Sequence, residues 1–583
     1  MQKLARGTSA NMFRDSRFVL VVAVSVGLWI PLTHLDWFQE FDFGAYVVRS
    51  VQWAAELRAG HLYPRWAPDL YGGYGEPLFV FFAPAVYAAS GLLTATFLDP
   101  VVALKLVALA GSLLSGVGVY ALIYGETRQA DSALLGAVAY LAAPYRLGDL
   151  FDRGDFSEFC CIGVLPVVLA LYLAATREAR PFRARVLAAC AGLAHAVMIA
   201  THTILGLWGT LLVGVVVFVR CVALYRSGAW RRVLPLVVAL VCAPGIAAAY
   251  VVPAMAYRSI THSQALIDGF YQPQNHWISL RDLFTDHSYL FPRNFNRVGS
   301  LVSVALAVTV AGAALNFRRG RSGLVWLGIS LGLVGLTLPV GYGFWRPGGL
   351  PLVQFIQFPW RLLGPAVLFA SVALGIGAAA ATERRVGPRL KTGGAIAASA
   401  ALLLLIAWPY ASARPVSSEN IPRDSEAIRA QILSTTSADE FLPLAVAARP
   451  SSPRSALVSG AEAATIDFSW SDGSRHTLTV TATKPGVVRL AHYGFPGWSI
   501  HTRSGPASAT LDTDAAGMLC VHLPKSGQYQ LVVAYGQPPL AWVGFAVTGL
   551  STLVLGLMLL RGSSWWPPAL SRASAPEQKG GAA

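Results

Sequence analysis

Apolar runs of about twenty residues recur along most of the chain, at 18–34, 101–124, 131–147, 161–176, 186–201, 203–219, 233–252, 299–316, 323–341, 362–382, 393–410 and 539–560. A hydrocarbon layer of ~30 Å takes about 20 apolar residues per helix, so these runs predict twelve transmembrane helices. A further run, Leu78–Leu98, fits either a crossing or a helix lying at the interface. From Ala464 the pattern changes to short alternating segments: ATIDFSW, HTLTVTAT, GVVRLAHY, GWSIHTR, MLCVHL and YQLVVAY, parted by SDGS, KPG and KSGQ. A period of two between such turns predicts an antiparallel β-sandwich of roughly 75 residues.

Composition agrees with a membrane protein. Of 583 residues 55% are hydrophobic and 13% charged, with a mean hydropathy of +0.52, against about 25% charged in soluble domains. The formal charge of +15 would suggest nucleic acid in a soluble chain, but no finger, RNP-like box or long basic run is present. The basic residues instead fall in short loops between apolar spans, as the positive-inside rule requires. That rule also resolves Leu78–Leu98. If the run does not cross, the basic segments at 128, 177–185, 220–232, 318–321 and 383–391 share the cytoplasm with Lys3, Arg6, Arg14 and Arg17. If it crosses, all five move outside. The run is therefore expected to be interfacial or re-entrant, and the first helix an uncleaved one. The six cysteines form neither a disulfide framework nor a zinc pattern.

The expected organisation is a transmembrane module over 1–410 with outer-face loops 35–100 and 144–160, then an extracytoplasmic region, 411–538, carrying the sandwich from about 464. The last transmembrane helix, 539–560, is followed by a cytoplasmic tail, 561–583, whose composition predicts disorder. The chain is expected in a bacterial inner (plasma) membrane, multi-pass, with both termini cytoplasmic and the sandwich outside.

The outer face gathers the unusual residues. The stretch 38–84 is too polar for lipid yet dense in Trp, Tyr, Phe, Gly and Pro, and it carries Asp42. The second outer loop holds Asp149, Asp152, Asp155 and Glu158 within ten residues, with Arg146 and Arg153 between them. Carboxylates from two loops can converge on one acceptor hydroxyl, as general-base catalysis requires, so Asp42, Glu158 and Asp149 are the expected catalytic acids. Asp152 and Asp155 read as solvated loop charges paired with arginines. Arg49, Arg65, Arg153 and Arg361 lie on aromatic outer segments, where a planar guanidinium suits a phosphate. With Trp66, Tyr145 and His202 they form the expected substrate-binding set. His195 reads as structural, and His262, His276 and His287 have no metal spacing. Gly72, Gly73 and Gly75 read as a turn, since no strand precedes them and no Lys-Ser/Thr follows.

The runs GHLYPRWAPDLYGGYGEPLFVFFAPAVYAASGLL, PYRLGDLFDRGDFSEF, QFPWRLL, TTSADEFLP and YGFPGW resemble bacterial polytopic proteins of the YfhO-like group, many labelled "6-pyruvoyl-tetrahydropterin synthase-related membrane protein". The resemblance covers nearly the whole chain. It implies a GT-C-like glycosyltransferase fold using polyprenyl-phosphate sugars, with a first acidic motif on Asp42, Arg49 behind it, and a second on Asp149, Arg153 and Glu158. Relatives often carry histidines directly before the first Asp and four residues after it, where this chain has Phe41 and Tyr46. If the site uses a divalent cation (Mg or Mn), Asp42 and Glu158 are the expected ligands.

The resulting expectation is a membrane glycosyltransferase (hexosyl- or pentosyltransferase). It would move a sugar from a polyprenyl-phosphate donor to an envelope glycan, lipid or protein acceptor. The alternatives are a transporter or flippase of an envelope precursor and a non-catalytic envelope assembly protein. The spans show no internal repeat and few ionisable residues at mid-membrane, which weighs against transport.

Overall fold

The computed structural model describes residues 15–33, 42–285, 298–345, 355–383, 387–407 and 420–560. Expectations for the basic N-terminus through Arg14, for Phe41, for His287 and for the tail from 561 fall outside the described residues.

Among the described residues, sixteen α-helices longer than five residues run in the order α1 (Ser16–Gly27), α2 (Phe43–Arg58), α3 (Ala85–Ala95), α4 (Pro100–Thr127), α5 (Ala130–Leu141), α6 (Phe156–Arg177), α7 (Pro181–Thr201), α8 (Thr203–Arg226), α9 (Val233–Ile246), α10 (Ala248–Tyr257), α11 (Gly299–Leu315), α12 (Phe317–Thr337), α13 (Leu363–Thr382), α14 (Pro388–Leu402), α15 (Ser425–Ala430) and α16 (Pro539–Leu560). Seven of the twelve expected spans are long and apolar enough to cross: α4, α6, α7, α8, α12, α13 with the turn before it, and α16. An eighth, α9 with α10, is bent by 53° at its break. The other four coincide with shorter helices, α1, α5, α11 and α14. Length and composition therefore support seven or eight crossings among the described residues; α1, α5 and α11 have 12 to 17 residues each, and α14, of 15, runs on into the π-turn Leu403–Ala407.

The bundle has two unlike ends. At one end, Arg177 and Arg220 share Glu126, Arg17 meets Asp131 at 2.9 Å, and Arg319 meets Glu383 at 2.7 Å. These pairs join the starts and finishes of neighbouring helices. At the other end lie the starts of α2, α6, α8 and α13, with the aromatic segments around them.

The run Leu78–Leu98 does not form one helix. A single turn, Leu78–Phe81, is parted from α3 by Phe82, Ala83 and Pro84, and neither piece is long enough to cross. With α2 they make a compact unit whose core holds Phe43, Trp53, Trp66, Tyr71, Phe79 and Tyr87.

The sandwich has eight strands in two antiparallel sheets, ordered β1-β4-β7-β6 and β2-β3-β8-β5. They are β1 (Val458–Ala461), β2 (Ala464–Asp472), β3 (Arg475–Ala482), β4 (Gly486–Tyr493), β5 (Trp498–Ser504), β6 (Thr510–Thr513), β7 (Met518–Leu523) and β8 (Gly527–Tyr535). Alternation along β3 points His476, Leu478, Val480 and Ala482 inward, as a half-buried strand requires. β1 and β6, of four residues each, are additions to the six expected strands.

The sandwich seats on the unit built around α2. Trp66 packs against Trp498 and Tyr535 with ring centroids 5.3 and 4.9 Å apart, and Glu56 accepts both the N–H and the hydroxyl of Ser474, at 2.9 and 2.6 Å. Gly75 lies at φ +81°, and a Cβ there would stand 2.3 Å from the Trp66 indole nitrogen. The glycine turn is a packing device, as its sequence context suggests.

Candidate functional site

Five chain segments bring charged side chains to one point at the second end of the bundle. The π-turn Asp149–Arg153 puts Asp149 and Arg153 four residues apart on one face. Gly154, at φ +70°, turns the chain so that Asp155 becomes the N-cap of α6. Its Oδ1 accepts the Glu158 N–H at 2.9 Å, the usual way to satisfy a first-turn amide. Glu158 then faces back over the turn. Asp42 is held at the start of α2, its N–H donating to the Arg153 carbonyl at 2.9 Å. His202 forms the junction of α7 and α8 and caps α8, its Nδ1 accepting the Leu205 N–H at 3.0 Å. Arg361 comes from the 3-10 turn Pro359–Leu362 before α13.

Arg153 stands at the centre. Its Nε is 3.3 Å from Asp42 Oδ2, its Nη1 3.2 Å from Asp149 Oδ1 and 2.7 Å from Glu158 Oε2, and its Nη2 2.9 Å from Asp155 Oδ2. Glu158 Oε2 also accepts from Arg361 Nε at 3.2 Å, while Oε1 accepts from the Tyr145 hydroxyl. Asp155 Oδ1 takes a second hydrogen bond from the Tyr46 hydroxyl at 2.5 Å. Arg361 Nη1 donates to Gln357 Oε1 at 2.8 Å. An aromatic wall flanks the pair: Arg153 lies 5.2 Å from the Trp360 ring centre and Arg361 5.0 Å from that of Phe358. Phe358 continues this wall to His276 at 4.5 Å and Tyr271 at 6.0 Å.

Burial separates the acids. Asp149, Asp155 and Glu158 are buried, whereas 43% of the Asp42 side chain is open. Burial, with Glu158 adding, pushes Asp149 well above the usual carboxylate range, with Arg153 opposing. Its Oδ2 has no partner among the described residues, which suits a protonated acid. Desolvation raises Asp42 above its ordinary value, Arg153 again opposing. Burial also opposes ionisation of Asp155, but Arg153, His202 and the Tyr46 hydrogen bond outweigh it and hold the carboxyl below its usual range. Burial lowers His202 to about 4, against Asp155 and Glu158, so the ring is neutral at pH 7.

Of the expected site residues, Asp42, Asp149, Arg153, Glu158, Tyr145, His202 and Arg361 come together. Arg49, Arg65 and Trp66 do not. Arg49 donates to the Tyr87 hydroxyl at 2.8 Å and to the Thr435 carbonyl, over the Phe82 ring at 3.9 Å. Arg65 donates to Gln537 Oε1 at 3.0 Å and the Ala249 carbonyl at 2.6 Å. Both guanidiniums tie elements together, and Trp66 is core. Asp155 corrects the expectation of a solvated charge: it is buried and paired with Arg153. Asp152 is buried as well. The sequence carried a signal for Asp155, since Asp-x-x-Glu ahead of an apolar run is a helix-start pattern. Nothing in the sequence marked Gln357, and Tyr46 stood out only as the place where relatives often carry a histidine. His195, bonded to Thr210 at 2.9 Å inside the bundle, is structural as read.

Among the described residues one group has the composition and spacing that could hold a metal ion: Asp155, Glu158 and His202, with ligand-type atoms within 4.8 Å of one another. Asp42 is not part of it, so the expected pair of Asp42 and Glu158 is replaced by a different trio.

No protein-family profile and no curated protein matches the chain. Similar solved structures include arabinofuranosyltransferase AftD from Mycobacteria, at 18% identity and TM-score 0.41 over 68% of this chain and 27% of that one. The oligosaccharyltransferase of Archaeoglobus fulgidus, in its apo form, overlaps 70% of this chain and 56% of its own at 13% identity and TM-score 0.40. ArnT from Cupriavidus metallidurans, bound to undecaprenyl phosphate, overlaps 71% and 88% at 17% identity and TM-score 0.31. The chain thus spans about a quarter of the first of these proteins and little more than half of the second.

Proposed function

We propose that the chain is a membrane glycosyltransferase. It moves a sugar from a polyprenyl-phosphate donor to a hydroxyl-bearing envelope acceptor at the outer face of a bacterial inner membrane. The observation that carries this reading is the meeting of four carboxylates and two guanidiniums at helix starts, with Asp42 the open acid among them. Helix N-termini favour anions, and four of them, those of α2, α6, α8 and α13, point their first turns at this place. A phosphate approaching there meets Arg153 and Arg361 beside Trp360 and Phe358, rings on which a sugar can stack.

In this reading Asp42 is the general base. Its raised pKa and open side suit it to take the acceptor hydroxyl proton. The acceptor oxygen bonds to the anomeric carbon, the bond from that carbon to the phosphate oxygen breaks, and the electron pair leaves with the polyprenyl phosphate. Arg153 and Arg361 offset the charge that grows on the leaving phosphate, an electrostatic contribution that rises toward the transition state. Glu158 and Asp155 are positioning residues that hold the two guanidiniums in place. Asp149, protonated, adds no charge against the phosphate. A nucleotide donor is not required, and the polyprenyl tail lies along the bundle.

The test is polyprenyl-phosphate release by the purified full-length protein with a panel of labelled polyprenyl-phosphate sugars and envelope acceptors. Asp42→Asn is expected to lose at least ~100-fold in rate, the range of a general base, with its melting temperature unchanged. Full activity in that variant overturns the assignment of Asp42.

A further inference from the structure

We propose that Arg153 occupies the place of a divalent cation, so that the acidic site binds none. Asp155, Glu158 and His202 have the residue types and spacing of a cation site, yet every carboxylate oxygen among them is already engaged. Among the carboxylate oxygens, Asp155 Oδ1 accepts from Tyr46 and from the Glu158 N–H, and its Oδ2 faces Arg153 Nη2 at 2.9 Å. Glu158 Oε1 accepts from Tyr145, and its Oε2 is shared by Arg153 Nη1 at 2.7 Å and Arg361 Nε at 3.2 Å. An ion bound between the two carboxylates would stand beside both guanidiniums, and like charges at that range repel strongly in a buried setting.

His202 supplies an independent argument. Metal-bound histidines donate their second ring N–H to a carboxylate or carbonyl. Here Nδ1 accepts from the Leu205 backbone N–H at 3.0 Å. The neutral ring therefore carries its proton on Nε2, the nitrogen 3.9 Å from Glu158 Oε2. With its proton there, that nitrogen has no lone pair for a metal. Moving the proton to Nδ1 would put two N–H groups face to face and uncap α8. The expectation of a Mg or Mn cofactor therefore does not fit the donor set.

The guanidinium also does something an exchangeable cation cannot. Arg153 is covalently part of the π-turn and engages four acids from three segments, so the site keeps its positive centre at any metal concentration. The consequence for the reaction, which rests on the glycosyltransferase reading, is transfer that continues in excess chelator.

The deciding measurement is Mn²⁺ binding by electron paramagnetic resonance, using the full-length protein in nanodiscs after chelator treatment. Wild type is expected to leave the free Mn²⁺ signal undiminished at equimolar metal. Arg153→Gln, checked for folding by circular dichroism, is expected to take up one Mn²⁺ per chain, and adding Glu158→Gln to remove it. One Mn²⁺ bound per wild-type chain and lost in Glu158→Gln overturns the proposal. So does a folded Arg153→Gln that gains no Mn²⁺. Where Arg153→Gln does not fold, the wild-type measurement decides alone. Bound metal is counted whether or not sugar transfer is found, so failure of the glycosyltransferase reading leaves this result standing.

Discussion

Two sets of arginines look alike in the sequence and differ in the folded chain. Arg153 and Arg361 lie beside Trp360 and Phe358, and Arg49 and Arg65 beside Phe82 and Tyr63, each guanidinium within 6 Å of a ring centre. The first pair faces carboxylates, Arg361 also holding the Ile356 carbonyl and Gln357. The second faces main-chain carbonyls, a phenol and an amide. A guanidinium against acids at helix starts is a charge centre that an incoming phosphate can share. One held by carbonyls ties elements of the fold together. Aromatic neighbours do not discriminate the two cases; the partner of the fork does.

This difference can be broken by substitution. Arg361→Gln removes a charge that the growing phosphate anion needs, and is expected to lower transfer by ~100-fold or more, as removal of a preorganised donor does. Its melting temperature should change little, because Arg153 still satisfies Glu158. Arg65→Gln should do the reverse. Loss of two buried charge-assisted hydrogen bonds is expected to cost about 3 kcal/mol of stability, read as a lower melting temperature, while the donor KM of the folded fraction stays at the wild-type value. If Arg65→Gln raises the donor KM instead, the division between the two pairs fails.

Acid offers a smaller probe of the clamp side. His476 and His492 stack at 4.4 Å between the sheets and the glycine turn, and His492 takes a hydrogen bond from Arg454. Burial lowers His476 to about 3, with Arg454 adding, and pushes His492 well below its usual value, with His476 and Arg454 adding. In the unfolded chain both titrate near 6.5, so below that pH the unfolded state binds more protons. The stability His476 contributes is then full above pH 6.5 and is lost toward pH 3, and that of His492 is lost in the same direction, at about 1.4 kcal/mol per pH unit for each histidine. The melting temperature should fall between pH 7 and 5, and His476→Gln should flatten that slope.

How far the sequence could be read followed from what each element depends on. The bundle and six of the strands were legible because apolar length and period-two alternation are local properties. The number of crossings was less so, since α1 and α5 end before the apolar runs that announce them do. Asp42, Asp149, Glu158 and Arg361 were legible as a set because loop placement and charge bring polar residues to one side. Arg65 and Trp66 were misread for the same reason. They lie on the same loop and have the same character, and their partners, Gln537 and Trp498, are more than four hundred residues away. Asp155 was read as a solvated charge although Asp-x-x-Glu marks a helix start, because its burial depends on the turn at Gly154 that folds it back onto Arg153.

The unit around α2 has a history built into it. Its ties to Thr435, Ser474 and Gln537 span 386, 418 and 472 residues of chain. A ribosome delivers residue 42 several hundred residues before those partners. Until the sandwich and Gln537 have been made, Trp66 lacks its ring partners Trp498 and Tyr535, Glu56 lacks Ser474, and Arg65 holds only the Ala249 carbonyl. Order of synthesis thereby acts as a delay: a chain cut short before β8 would keep its acids yet leave the surrounding wall unassembled.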